Sequence, residues 1–337
     1  MITIAVDAMG GDHAPQNEVE GAVLAARENN LRVVLLGLEE PIRHELARQS
    51  AEGLSIDILP ATEVITMDDN PVKALRRKKG SSLHVAAQAM KEGKVQGLVT
   101  AGNTGAAMAI TKRAVGMVPG VDRPALASVF PTRSGVPSVL LDVGANVDCK
   151  PQHLQQFAVM GEVYYRVMFG TDKPRVGLLS IGEEAHKGNE VVREAHRRLR
   201  GSNLRIDFVG NVEGRDVFSG DVHVIVCDGF IGNVALKISE GMVEAITSML
   251  REAMNSTVSA QVGYLLSRQA FDVFKRRLDY SEYGGAPLLG IKGVCIICHG
   301  RSNANAVKNA ILVAASFSKG KINEKIENEL GLMVAAR

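Results

Sequence analysis

The sequence predicts an α/β fold: a doubly wound, mostly parallel sheet with helices on both faces, plus a protruding helical hairpin. Three observations point there. Short apolar runs without clean alternation recur along the chain, as strands buried on both faces require. Amphipathic helical patterns separate them, giving a βαβα rhythm. Between residues 230 and 280 that rhythm gives way to two long helical patterns and no strand.

In chain order the first strand signals are ITIAVDAMGG (2–11), LRVVLLG (31–37), LSIDILP (54–60), VQGLVTAG (95–102) and SVLLDVGA (138–145). A second series is PRVGLLSIGEE (174–184), LRIDFVGN (204–211), VHVIVCDG (222–229) and GVCIICHG (293–300). Each ends near glycine or aspartate. Helical spacing marks NEVEGAVLAARENN (17–30), EPIRHELARQSA (40–51), SSLHVAAQAMKEG (81–93) and GAAMAITKRAV (105–115). PQHLQQFAVMGEVYYRVMFG (151–170) starts with proline and stops at glycine, the expected punctuation of a helix. Residues 303–320 and INEKIENELGL close the chain with two more helices. Residues 1–337 thus read as one α/β/α unit, in one lobe or two, and strand order is not contained in the pattern.

In the 230–280 hairpin, Val234, Ile238, Met242, Ala245, Ile246 and Met249 share one helical stripe. Val258, Val262, Leu265, Leu266, Phe271, Phe274 and Leu278 form the second. An αα unit of this length must bury its stripes somewhere, most simply against a twofold copy of itself. The other solution is to fold back on its own lobe.

The net charge of +2 provides no broad basic field, so nucleic acid is not the expected partner. MITIAVDAMGGD has no basic flank before its apolar run and carries Asp7 within it, unlike a signal peptide. No run reaches the roughly 18 apolar residues of a spanning helix. Four cysteines without dense spacing fit a reducing cytoplasm. The i,i+3 cysteines of CIIC (295–298) should face opposite sides of a strand and pack in the core. Neither a metal nor a cofactor is expected: no HExxH, Walker or GxGxxG pattern is present.

Polar residues gather at predicted strand ends, where α/β sheets bind ligands. The clusters are DAMGGDH (7–13), TAGNT (100–104), DVGANVDCK (142–150), EEAHKGNE (183–190), GNVEGRD (210–216), DGFIGN (228–233) and HGRSN (299–303). Seven in register predict one lined cleft. In TAGNTGA, Thr104 is the expected helix N-cap, and the amides of Gly102, Asn103, Thr104 and Gly105 suit an anion at a helix start. The loop lacks a lysine. Lys187 is the leading cation for the site, with Lys237, Arg133 and Arg301 as second choices. His13 and His299 follow strands and offer polar groups. There is no G-x-S-x-G elbow, so positioning chemistry is favoured over a nucleophile built into the protein.

Taken together, MGGD (9–12), TAGNTGA (100–106), IGEEAHKGNE (181–190), DFVGNVEGRD (207–216), CDGFIGNVALK (227–237) and DYSEYGGAPLLG (279–290) resemble one family. It is the bacterial phosphate acyltransferase (PlsX) family, similar in fold to phosphotransacetylases and isocitrate-type dehydrogenases. The resemblance covers nearly the whole chain. It implies transfer of a long-chain acyl group from acyl carrier protein to inorganic phosphate, giving acyl phosphate for a glycerol-3-phosphate acyltransferase. It also implies a homodimer attached peripherally to the inner face of the cell membrane. On this reading Lys187 and the amides near Asn103 bind phosphate, and Asn211 or Asn233 polarises the thioester carbonyl. Asp7 or Asp228 orients these donors, and His13 is a proton partner.

The hairpin then gains a second role. From Asn255 to Arg277 its apolar face carries Arg268 and Lys275 to Arg277 against Asp272 alone, suiting a tip near Met254 to Leu266 that rests on anionic lipid. A basic patch with Arg276 and Arg277 is an alternative docking place for the carrier protein. Rival readings are a short-chain phosphotransacetylase acting on acyl-CoA, an isocitrate-type dehydrogenase, and a lipid-associated scaffold.

Overall fold

The structure is a computed structural model and describes residues 1–29, 31–278 and 280–335. The chain begins with β1 (Ile2–Asp7), α1 (Gln16–Glu28), β2 (Leu31–Gly37), α2 (Glu39–Arg48) and β3 (Ile56–Pro60). It continues with α3 (Pro71–Arg77), α4 (Ser82–Lys91), β4 (Gly97–Thr100) and α5 (Thr104–Val115). The middle comprises β5 (Ala125–Phe130), β6 (Ser138–Leu141), α6 (Pro151–Phe169), β7 (Arg175–Leu179), α7 (Glu190–Arg200), β8 (Asp207–Val212) and β9 (Val224–Val226). Then come α8 (Gly229–Asn255), α9 (Val258–Leu278), β10 (Ala286–Leu289), β11 (Cys295–Ile297), α10 (Ala304–Lys319) and α11 (Ile322–Ala335).

Among the described residues eleven strands form one sheet in the order β3-β2-β1-β4-β11-β10-β5-β6-β9-β7-β8. The expected doubly wound, mostly parallel architecture is present. Pairing is parallel from β3 to β11 and again from β6 to β8. The three central pairings, β11–β10, β10–β5 and β5–β6, are antiparallel. The strand signals in the sequence omit β5 and β10. Ala125, Ala127 and Ser128 dilute the apolar run of β5, and β10 spans only four residues and includes Pro287.

Alternation along the strands divides the interior into two cores. Ile4 and Val6, Val139 and Leu141, and Val224 and Val226 enter one. Their neighbours Ala5, Leu140 and Ile225 enter the other. The first core takes α1, α2, α6, α7, α10 and α11; the second takes α3, α4, α5 and the base of α8. Burying each large aliphatic side chain contributes about 1.5–3 kcal/mol, so both faces are held strongly.

The hairpin does not fold back on its own lobe. Within α8 only Gly229 and Gly232 are buried, and Ile238, Met242, Ile246 and Met249 are exposed. On α9, Val258, Val262, Leu265 and Phe274 are exposed, and Leu266 retains 83% of its accessible surface. The side chains of Asp272, Lys275, Arg276 and Leu278 lie outside the described residues.

Candidate active site

Two groups of loops carry the polar clusters. The first begins where β1 and β4 run side by side, with Asp7 in register with Thr100. The Thr100 hydroxyl donates to Asp7 Oδ2 at 2.7 Å and accepts the Gly102 N–H at 3.0 Å. Burial pushes the Asp7 carboxyl up, and hydrogen bonds from Ser82, Thr100 and Met9 oppose the shift. A Cβ on Gly10 would lie 2.7 Å from the Gly102 nitrogen, so only glycine lets these two turns touch.

Asn103, not Thr104, caps α5. Its Oδ1 accepts the Ala106 N–H at 3.0 Å, whereas Thr104 is the first helical residue and is exposed. Both residue types cap well, so the sequence placed the cap one residue late. The Asn103 Nδ2 donates to the carbonyls of Met67 at 3.0 Å and Asp69 at 2.9 Å. Its side chain therefore shapes the turn, and the N–H groups of Thr104 and Gly105 head the helix, where the dipole favours an anion.

The loop after β11 completes this group. The Asp12 N–H donates to the Gly300 carbonyl at 2.8 Å, and Asn17 Nδ2 to the Ser302 carbonyl at 2.9 Å. Asn303 caps α10 by accepting the Ala306 N–H at 2.8 Å. Exposed His13 adjoins the Asp12 tie. Ser302 is buried, and its hydroxyl has no hydrogen-bond partner among the described residues.

Glu18 belongs here too, although nothing in its sequence context singles it out. It lies in the first turn of α1 with 2% exposure, and neither carboxylate oxygen has a hydrogen-bond partner among the described residues. Burial, opposed by the nearby Glu18 and Gly11 N–H groups and reinforced by Asp7 and Asp12, pushes its carboxyl from 4.5 up to about 7. The folded-state value lies above the unfolded one, so the protonated acid supports the fold. That support is complete below pH 4.5 and is lost as pH rises through about 7. Glu18→Gln removes the titration. Its stability advantage over the parent should grow by about 3 kcal/mol between about pH 4 and pH 8. Urea-unfolding midpoints across that range test this; a constant difference would show that Glu18 is not held protonated.

The second group surrounds Asp142, which is fully buried beyond β6. Its Oδ1 accepts the N–H groups of Leu126 (2.9 Å), Gly144 (3.2 Å) and Ala145 (3.0 Å). Its Oδ2 accepts both the backbone N–H and the Nδ2 of Asn146, each at 2.8 Å. The first turn of α8 lies directly on this loop: a Cβ on Gly232 would sit 1.9 Å from the Asp142 carbonyl oxygen. Asp228 caps α8 by accepting the Ile231 N–H at 2.9 Å. Asn233 follows, exposed, beside Gly144.

Further along the same sheet ends, the Glu184 carbonyl accepts the Lys187 N–H at 3.0 Å and Asn211 Nδ2 at 2.8 Å. Asn211 thus fixes the loop that presents Lys187, and of the two asparagines Asn233 is the exposed amide. The Lys187 ammonium makes no ion pair among the described residues. Lys237 pairs with Glu240 at 2.8 Å, which removes it as a free cation.

The seven clusters therefore do not share one parallel register. The antiparallel pairings in mid-sheet reverse β6 to β9 relative to β1 to β4, splitting the clusters into three and four. The hairpin joins the two groups. It leaves the second group as α8 and returns to Ala286, which pairs with Ile297 just before the first group's HGRSN loop. Arg301 Nη1 of that loop lies 3.9 Å from Glu244 Oε1 on α8.

The family described as fatty acid synthesis protein matches residues 2–325. The phosphate acyltransferase of Syntrophotalea carbinolica is 53% identical over 331 residues, which cover 98% of this chain and 94% of that protein. The chain belongs to the phosphate acyltransferase family. Another phosphate acyltransferase, from Koribacter versatilis, is 57% identical over 335 residues, covering 98% of this chain and 93% of its own. The fold extends beyond the family: a phosphotransacetylase from Streptococcus pyogenes superposes with a TM-score of 0.64 at 17% identity, covering 95% of this chain and 94% of that one. Within this phosphate acyltransferase fold the cysteines are structural. Cys295 and Cys298 enter opposite cores, as the strand period predicts, and burial pushes both thiols up to about 12.

Proposed function

We propose that this chain transfers a long-chain acyl group from acyl carrier protein to inorganic phosphate, giving acyl phosphate and the free carrier. A phosphate oxygen attacks the thioester carbonyl, the C–S bond breaks, and the sulfur leaves as a thiolate that takes up a proton. A free thiol titrates near about 8.5, so the leaving group needs little acid assistance. The protein's task is to align the reactants and stabilise the oxyanion.

The observation that carries this reading is the pairing of two groups of helix starts with an apolar hairpin based between them. Strands twist by about 20–25° at each step, and β4 and β9 are five steps apart. A rotation of about 100–125° brings these nominally opposed strands to about 55–80° of each other, and on that basis we infer that both sets of carboxyl ends face one cleft. Lys187 and the N–H groups of Thr104 and Gly105 then hold phosphate from its two sides. Asn233 polarises the carbonyl, Asp228 and Asp7 hold their turns in place, and His13 exchanges the proton. Phosphate-dependent thiol release and acyl phosphate formation, measured with acyl carrier protein and acyl-CoA thioesters, test the assignment. Turnover restricted to short acyl-CoA would overturn it in favour of a short-chain phosphotransacetylase.

The hairpin supports a homodimer joined through its base, with the tip at the inner membrane face handing acyl phosphate to a glycerol-3-phosphate acyltransferase. No helix among the described residues is long and apolar enough to cross a membrane. Leu265→Asp/Leu266→Asp should lower recovery with anionic vesicles about tenfold or more while the dimer persists, since each buried leucine contributes about 1.5–3 kcal/mol. Unchanged flotation would exclude the tip.

A further inference from the structure

The basic stretch KALRRKK (73–79) has no role in the site described above. It contains five cations and no acid within seven residues, in a chain whose net charge is only +2. Its position is well defined. Asn70 caps α3 by accepting the N–H groups of Val72 and Lys73, and Ala74 is buried in the second core. Lys78 turns inward to Asp69 at 2.5 Å and to the Val64 carbonyl at 2.8 Å. Ala74 and Lys78, four apart, therefore define the inner face. Lys73, Arg76 and Arg77, spaced three and four apart, share the outer one. All three are exposed and make no ion pair among the described residues.

This cationic face is fastened to the anion turn. The Asn103 side chain holds the 66–69 loop that leads into α3, and a Cβ on Gly105 would meet Pro71 Cγ at 2.7 Å. Val72 on α3 and Met67 on the preceding loop, next to Asp68, are also exposed, adding apolar surface beside the cations as a protein-docking surface requires. A lipid contact would want the long apolar stripe that the hairpin offers instead.

We propose that the outer face of α3 docks the carrier protein through an acidic helical surface, bringing its thioester to the start of α5. The assignment rests on the carrier-dependent reaction proposed above. It also gives Asn103 a second use, that of holding the docking helix in register with the anion turn.

Arg76→Glu/Arg77→Glu, with and without Lys73→Glu, tests the proposal in steady-state assays that vary acyl carrier protein and phosphate separately. The KM for the carrier thioester should rise about tenfold or more and lose its salt dependence. kcat at saturating carrier and the KM for phosphate should stay within about twofold of the parent. The milder Arg76→Gln/Arg77→Gln should give an intermediate rise, which guards against a reversed-charge variant that fails to fold. An unchanged carrier KM overturns the docking role, including the case in which vesicle binding falls instead and the patch is a lipid contact. A rise in the phosphate KM equal to that for the carrier also overturns it, because α3 would then serve the anion site. If the parent protein makes no acyl phosphate from the carrier thioester, the proposed reaction fails and takes the docking role with it. An active parent with an unaffected variant defeats the docking role alone.

Discussion

Asp142→Ala is expected to destabilise the protein by about 4 kcal/mol, the largest stability effect of any substitution proposed here. The carboxylate accepts five hydrogen bonds from four residues and has no exposed surface. Alanine leaves those donors facing an apolar wall, and each unsatisfied buried group costs about 1–3 kcal/mol, only partly relieved by water. Asp142→Asn should be damaging as well, because its NH2 would point at N–H groups. Both variants should loosen the start of α8, which rests on the same loop. Guanidinium unfolding gives the number directly; a loss under about 1 kcal/mol would mean that the loop holds without its carboxylate.

Lys187→Ala should produce the largest loss of activity, about 10²-fold in kcat/KM for phosphate, the usual cost of removing one charged donor from a developing anion. The backbone around it is secured by Asn211 through the Glu184 carbonyl, so the change should leave stability intact. Phosphate titration at saturating acyl carrier protein thioester separates the possibilities. A raised KM with little change in kcat marks ground-state phosphate binding, whereas a lowered kcat marks the transition state. Unchanged values of both would remove Lys187 from the site and leave the first group of loops to bind phosphate alone.

Much of this is legible in the sequence. The opposite facing of Cys295 and Cys298 follows from the two-residue period of a strand and needs no partner to be known. The helix start within TAGNTG was clear to within one residue, because Asn and Thr are both good caps and only the bond to Ala106 chooses between them. The hairpin's stripes were readable from helical spacing. That they stay uncovered in one chain was not, because spacing says which residues share a face and nothing about what lies opposite.

Glu18 marks the other limit. An acid in the first turn of a helix is ordinary beside the helix dipole, and its sequence neighbours give no sign that Gly11 and the HGRSN loop close over it. β5 and β10 are a similar case: a strand diluted by Ala and Ser and a four-residue strand carry little local signal, yet their antiparallel pairings reverse half the sheet.

The sequence by itself therefore determined the elements, the faces they bury, the polar turns that follow the strands and, through six ordered clusters, the family. Those properties depend on residues a few positions apart. Only the tertiary structure decided that the polar turns form two groups, that Asn103 caps α5, that Glu18 is buried, and that KALRRKK presents three cations beside the start of α5. Each depends on contacts between distant parts of the chain, such as Asp7 with Thr100, ninety-three positions apart. Such contacts are selected by packing and strand pairing together, which no local pattern encodes.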